Sequence, residues 1–313
     1  MLSARELVAD VSARVVGWYT TTEMQQIPKP LVTLMKKTRT AKKLKNRYEV
    51  ETFTTRSFDG VELAGTVFHA VDGCHWDGKK HVALLIHGFQ VQQVTVWPCL
   101  PLFLPNGYDC VTIDLRASGL SGKAKCTMGW NEAEDVAAAC RWIRDRYGED
   151  VVLGIYGQSM GSASIMQYAW KDPSLGFLVE DCGYADLNDT VRELVTRVAP
   201  FLDADLFLEK VQKYATVDGI TYSDVRPIEA VAKLSPDVPV LFLHGIPDQY
   251  IVCENVDRLY EARQGKKELH KYPDAGHAAS ILTHPVRYYR DVENFLRNNE
   301  LLPPRTEEHD GNQ

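Results

Sequence analysis

The sequence has few of the features that would mark several common protein classes. Of 313 residues, seven are cysteine, an odd number. None of the seven falls in a Cys-x-x-Cys pair or a zinc-ligand spacing, so neither a disulfide framework nor a metal site is expected. Reduced thiols in a cytoplasmic protein are the simplest reading. An excess of basic residues is lacking too: the formal net charge is −7, which speaks against whole-domain binding to nucleic acid. No long apolar run reads as a membrane span, and residues 1–19 mix Arg5, Glu6, Asp10 and Arg14 into their apolar positions, unlike a secretory signal. Internal repeats and low-complexity stretches are missing as well.

The N-terminal segment reads instead as an amphipathic helix. Ser3 and Glu6 have capping-box spacing, and Leu7, Val11, Val15 and Trp18 fall on one helical face. From Lys36 to Arg47 the chain carries seven basic residues and no acidic one. This stretch is a candidate for peripheral contact with anionic lipid; the plainer reading is a solvated helix face. Residues 1–47 are therefore expected to form a helical extension, and residues 303–313 a flexible tail.

From Tyr48 onward, short β-rich runs alternate with longer helical ones, the pattern of helices packed on a mainly parallel sheet. Tyr48–Thr54 and Val61–His69, joined through Asp59-Gly60, read as an entry hairpin. Further strands are predicted over 82–86, 109–113, 151–156, 176–179, 238–243 and 268–272, and helices over 94–104, 131–147, 159–170, 253–264 and 285–298. One stretch breaks the alternation. Residues 185–234 are helical without a strand, with apolar stripes at Val191, Leu194, Val195 and Val198 and at Leu206, Phe207 and Val211. A helical cap over the C-terminal edge of the sheet would account for it, since ligands of open α/β sheets bind at that edge; two packing helices without a binding role are the alternative.

Chemistry concentrates at the ends of the predicted strands. Gly157-Gln158-Ser159-Met160-Gly161 closes an apolar strand and opens a helix, the setting of a Gly-x-Ser-x-Gly nucleophile elbow. The pentapeptide alone would equally describe an N-cap serine between turn glycines. A hydroxyl nucleophile needs a general base, and of nine histidines His277, in the turn after the last predicted strand, has the address for it. His87 and His244, each before a glycine at a strand end, are expected to make structural hydrogen bonds. Asp248, past the strand ending at Leu243, is the candidate acid to orient His277; Asp181, past Val179, is the alternative. The oxyanion of the reaction needs two N–H donors, expected from the backbone of Met160 and of Phe89. No cofactor is required.

These residues carry a resemblance to the α/β-hydrolase superfamily. His87-Gly88-Phe89, Gly157–Gly161, the Asp248 loop and the His277 loop occur in the family's order, and Asp114–Ser121 is similar to its D-x-R-x-x-G-x-S turn. Thr127–Trp130, Glu180–Tyr184 and Ala275–Ser280 look more narrowly like bacterial proteins often described as cell-surface hydrolases, related to serine aminopeptidase and monoglyceride-lipase-like groups. The resemblance covers about Tyr48 to Leu296 and implies an α/β-hydrolase domain over 48–302. It implies a serine hydrolase acting on a small-molecule ester or acyl substrate. Two departures stand out: the N-terminus is amphipathic and basic where relatives often carry a hydrophobic anchor, and Ala117-Ser118 replace the Gly or His frequent in the D-x-R turn. Aminopeptidase, thioesterase and acyltransferase activities use the same acyl-enzyme, and a non-catalytic receptor on the same fold is a further alternative. An aminopeptidase would call for a carboxylate in the pocket, for which Glu193, Asp203 and Asp205 are the candidates.

Overall fold

The computed structural model describes residues 6, 8–14, 44, 46–71 and 77–302. The basic segment before Leu44, most of the N-terminal extension and the tail 303–313 lie outside the described residues.

Eight strands form one sheet: β1 (Val50–Arg56), β2 (Glu62–Phe68), β3 (His81–Ile86), β4 (Asp109–Ile113), β5 (Val152–Gln158), β6 (Phe177–Asp181), β7 (Val240–Gly245) and β8 (Lys267–Tyr272). Their order is β1-β2-β4-β3-β5-β6-β7-β8, antiparallel at β1-β2 and β2-β4 and parallel from β4 to β8. The helices are α1 (Trp130–Tyr147), α2 (Met160–Ala169), α3 (Leu187–Val198), α4 (Ala204–Tyr214), α5 (Pro227–Lys233), α6 (Glu254–Ala262), α7 (Ser280–Thr283) and α8 (Pro285–Asn298).

Continuous apolar strands imply a sheet covered on both faces, because alternate side chains of a strand point to opposite sides. Val82, Leu84 and Ile86 of β3 pack with Val136, Cys140 and Ile143 of α1 and Ile165 of α2. On the other face, Ala83 and Leu85 join Tyr156, Phe177, Leu241 and Leu243 against Trp97, Leu100, Val292 and Phe295. Leu84 is fully buried between such layers, so truncation to alanine would cost about 2–5 kcal/mol.

The predicted helix over 94–104 is a 3-10 segment at Gln93–Leu102. Pro98 and Pro101 remove two N–H donors and crowd the preceding turn, which rules out regular α-helix there. Near the N-terminus residues 8–14 are helical, but the buried positions are Ala9 and Ala13, while Val11 is half exposed. Ala13 sits in the cluster formed by α3 and α4, and Asp10 accepts a hydrogen bond from Tyr214 of α4 at 2.8 Å. Small side chains allow this close approach, which a valine-centred face would not.

Between β6 and β7 the chain runs through α3, α4 and α5 with no strand. Leu187, Val195, Phe207, Val211 and Val225 form a third apolar cluster with Tyr184, Ala163 and Ile251, so α3 and α4 lie over the ends of β5, β6 and β7. Asp186 and Asp203 cap α3 and α4 by accepting from the backbone N–H three residues on, at 3.2 and 3.0 Å.

Candidate active site

Ser159 stands at the junction of β5 and α2 with φ 58° and ψ −122°, outside the helix that begins at Met160. A non-glycine residue in that region is strained, and it persists where the surroundings hold it. Here they do. The Ser159 N–H donates to the Asp181 carbonyl at 2.8 Å, and the Ser162 hydroxyl bridges this turn to β6, donating to Gly157 O at 2.6 Å and accepting from Asp181 N at 2.9 Å. The flanking glycines answer to close approach rather than to φ. A Cβ on Gly161 would lie 2.6 Å from the carbonyl oxygens of Ile86 and His87, and one on Gly157 would lie 2.7 Å from Gly161 O. Gly161→Ala is therefore expected to force β3 and α2 apart. It should destabilise the protein by about 1–3 kcal/mol or more, read as a lower thermal midpoint.

Facing Ser159 is His277. Its Nε2 lies 2.9 Å from Ser159 Oγ, and its Nδ1 lies 2.7 Å from Asp248 Oδ2. Because the carboxylate accepts, Nδ1 carries the proton and Nε2 is left to accept from the serine hydroxyl. Asp248 is held in turn by the N–H groups of Tyr250 and Ile251, which donate to Oδ1 at 2.8 and 3.0 Å. Burial pushes the Asp248 carboxyl upward, but hydrogen bonds from His244 and His277 outweigh it and hold the group well below the usual carboxylate range. A glycine sets the spacing of the two loops: a Cβ on Gly245, at the end of β7, would fall 2.0 Å from Ala275 O, just before His277.

The alternative acid is turned elsewhere. Asp181 is fully buried, and its Oδ2 accepts from the hydroxyls of Tyr156 and Tyr288 at 2.7 and 2.9 Å. His87 makes the structural contacts expected of it: Nδ1 meets Gly88 O at 2.7 Å and Nε2 accepts from Leu115 N at 3.0 Å. This fixes the turn after β3. A Cβ on Gly88 would lie 3.1 Å from Ser159 Cβ, so the backbone leading into Phe89 passes directly beside the serine, opposite the start of α2 at Met160. Both backbone segments expected to supply oxyanion donors thus border Ser159.

Ser159 and His277 open into a cavity of about 530 Å³, lined also by Met128, Tyr184, Val191, Leu194 and Tyr250. Val191 and Leu194 belong to the first apolar stripe, but the stripe divides: Val195 is buried in the cluster of α3 and α4 and Val198 is exposed. Glu193, Asp203 and Asp205 do not line the cavity; Glu193 accepts from Asn255, Asp203 caps α4 and Asp205 pairs with Arg192. Met128 and Tyr250 were not evident as pocket residues in the sequence. Met128 has φ 56°, its carbonyl accepts from Tyr184, and the buried Glu132 accepts from the N–H groups of Thr127 and Gly129, which ties both similar motifs to the pocket wall. The Cys182 thiol lies near Asp248 and His277, but burial pushes it well above the ordinary thiol range. It stays protonated, a poor nucleophile and a poor ligand.

Residues 83–175 match the family model of the alpha/beta hydrolase fold. An esterase from Pyrococcus furiosus, Pf2001, superposes with a TM-score of 0.65 at 21% identity, covering 90% of this chain and 98% of the esterase. The fold is the α/β-hydrolase fold. In this α/β-hydrolase domain Ser159 stands at the β5–α2 elbow, and Asp248 and His277 lie on the loops after β7 and β8. By sequence, the chain is 28% identical over 261 residues to YqkD of Bacillus subtilis, an uncharacterized protein, covering 77% of this chain and 82% of YqkD. It is 27% identical to a probable dipeptidyl-aminopeptidase B of Chaetomium globosum, over 81% of this chain but 28% of that protein. The chain thus spans little more than a quarter of that relative. These likenesses support a hydrolase and leave open the bond that it cleaves.

Proposed function

We propose that this α/β-hydrolase domain is a serine hydrolase of carboxylic esters with uncharged, apolar groups. The observation that carries the reading is the continuous chain Ser159–His277–Asp248 opening into a cavity with no carboxylate, lysine or arginine among the described residues that line it.

In the proposed reaction Ser159 Oγ attacks the ester carbonyl while its proton passes to His277 Nε2. Asp248 holds the other ring nitrogen and stabilises the imidazolium. The carbonyl oxygen, now anionic, is received by the backbone N–H groups of Phe89 and Met160, each donor worth about 3–4 kcal/mol in hydrolases of this type. The intermediate collapses, the C–O bond to the alcohol breaks, and the leaving alkoxide takes the proton from His277. Water then attacks the acyl-Ser159 ester by the same proton route and releases the acid.

Peptide cleavage is the second reading, favoured by the dipeptidyl-aminopeptidase relatives. A free substrate ammonium would meet no acidic partner among the described lining residues, a costly burial. The discriminating experiment compares p-nitrophenyl acetate and butyrate with amino-acid p-nitroanilides. Ester hydrolysis well above anilide hydrolysis is expected; the reverse preference would favour the peptidase. Thioesters and acyl acceptors other than water, in the same panel, test the thioesterase and acyltransferase variants. Leu194→Asp, which sets a charge in the apolar wall, is expected to lower kcat/KM for the butyrate by about 10–100-fold, more than for the acetate.

A further inference from the structure

One aromatic ring of the cavity wall meets the imidazole of His277. Tyr250 lines the cavity together with Ser159 and His277, and its ring centroid stands 5.5 Å from that of His277 at an interplanar angle of 58°. The backbone holds it there: the Tyr250 N–H donates to Asp248 Oδ1 at 2.8 Å, and Ile251, the next residue, donates to the same oxygen at 3.0 Å and is buried in the cluster of α3 and α4. The Tyr250 side chain itself is 64% exposed. Tyr184, the other tyrosine of the wall, is buried and spends its hydroxyl on the Met128 carbonyl. A single exposed aromatic is ordinary on a protein surface. This one gains meaning from where the reaction must place the alcohol half of an ester.

The path of the proton fixes that place. In acylation the C–O bond to the alcohol breaks with its electron pair on the alcohol oxygen, and that oxygen takes the proton from His277 Nε2. It must therefore come within hydrogen-bond reach of Nε2, about 3 Å. The carbonyl oxygen is directed instead to the N–H groups of Phe89 and Met160. The group carried by the alcohol oxygen thus starts at the imidazole, and Tyr250 is the aromatic ring that the structure places against it.

We propose that Tyr250 forms the subsite for the leaving alcohol and that this alcohol is a flat aromatic one, so that the substrates are aryl esters. The inference rests on the reading of Ser159, His277 and Asp248 given above, and deepens it. An exposed ring offers a face rather than a closed slot, and a second ring gains most from it by offset or edge-to-face contact. Tyrosine loses little freedom in such a contact because it turns about two side-chain bonds only. An alkyl alcohol has no ring face to match and gives up rotamer freedom when held against one. A charged alcohol would find no counter-charge among the described lining residues.

The test varies the alcohol while the acyl group stays acetyl. Phenyl, naphthyl and trifluoroethyl acetate are compared in the full chain as wild type, Tyr250→Phe, Tyr250→Leu and Tyr250→Ala, each normalised by titration with a fluorophosphonate. Every ester is compared with itself across the variants, so the differing acidity of the alcohols cancels. The ratio of kcat/KM for phenyl over trifluoroethyl acetate is expected to fall by about 3–10-fold in Tyr250→Ala and in Tyr250→Leu, and further for naphthyl acetate. Tyr250→Phe keeps the ring and should keep the wild-type ratio. All three esters pass through the same acetyl-Ser159, so within each protein the rate of its hydrolysis should not depend on the ester used. A purely structural role, acting through the Asp248 loop, would slow all three esters alike and leave the ratio in place. An unmoved ratio in Tyr250→Ala overturns the inference, and so does a ratio lost equally in Tyr250→Phe; if Tyr250→Ala does not fold, an unmoved ratio in Tyr250→Leu does so alone. A fall that follows the acyl group instead, in phenyl butyrate over phenyl acetate, would put Tyr250 on the acyl side and overturn it as well. A wild type that takes no label overturns the serine reading and this inference with it, whereas a labelled wild type with an unmoved ratio in the variants overturns this inference only.

Discussion

Ser159→Ala should lower kcat/KM for ester hydrolysis by about 10⁴-fold or more while leaving the protein folded. The serine hydroxyl makes one hydrogen bond in the site, to His277 at 2.9 Å, whereas the elbow is held by backbone contacts and by Ser162. Alanine meets the same φ of 58° that serine does, so the substitution adds no new backbone strain. The thermal midpoint is accordingly expected to stay within a few degrees of wild type, and circular dichroism should be unchanged. A protein that unfolds on this change would mean that the serine is structural. One that keeps its activity would mean that the ester chemistry resides elsewhere.

Asp248→Asn is the second large effect, and its value lies in the contrast with Asp181→Asn. An asparagine at 248 can donate where the carboxylate only accepts, so it can reverse the His277 tautomer and put the proton on Nε2, the atom that must receive it from serine. A fall of about 10⁴-fold in kcat is expected, with substrate binding little changed. Asp181 is engaged by the hydroxyls of Tyr156 and Tyr288 and not by His277, so Asp181→Asn should leave kcat within about threefold of wild type. The reverse pattern would transfer the role of the acid to Asp181. Steady-state rates of the two variants, with folded protein verified by thermal melts, decide the matter.

Much of this arrangement was legible in the chain because its local signals agree with one another. The apolar runs of β3 and β7 demanded burial on both faces, and the glycines around Ser159 marked places where backbones touch. Asp248 and His277 could be assigned to one edge because each follows a predicted strand, and parallel strands end on the same side. What stayed hidden was set by contacts between distant segments. Met128 reaches the cavity because Tyr184 and Glu132 pin the turn around it, and nothing in its local sequence announces that. Tyr250 stands 5.5 Å from the His277 ring by virtue of the Asp248 loop. The N-terminal helix buries Ala9 and Ala13, and Ala13 packs in the cluster of α3 and α4, a choice made by close packing rather than by hydrophobicity. His244 was expected to be structural, and its bond to Ile251 O agrees; its approach to Asp248 depends on a loop path that periodicity does not encode.

The most direct measurement is covalent. The wild-type protein is treated with a fluorophosphonate and digested, and the phosphonylated residue is located by mass spectrometry. The hydroxyl beside His277 Nε2 is expected to displace fluoride and retain the phosphonyl group, giving one adduct on Ser159 that is lost in Ser159→Ala and strongly slowed in Asp248→Asn. An active preparation that carries no adduct, or carries it on a residue other than Ser159, would contradict the account.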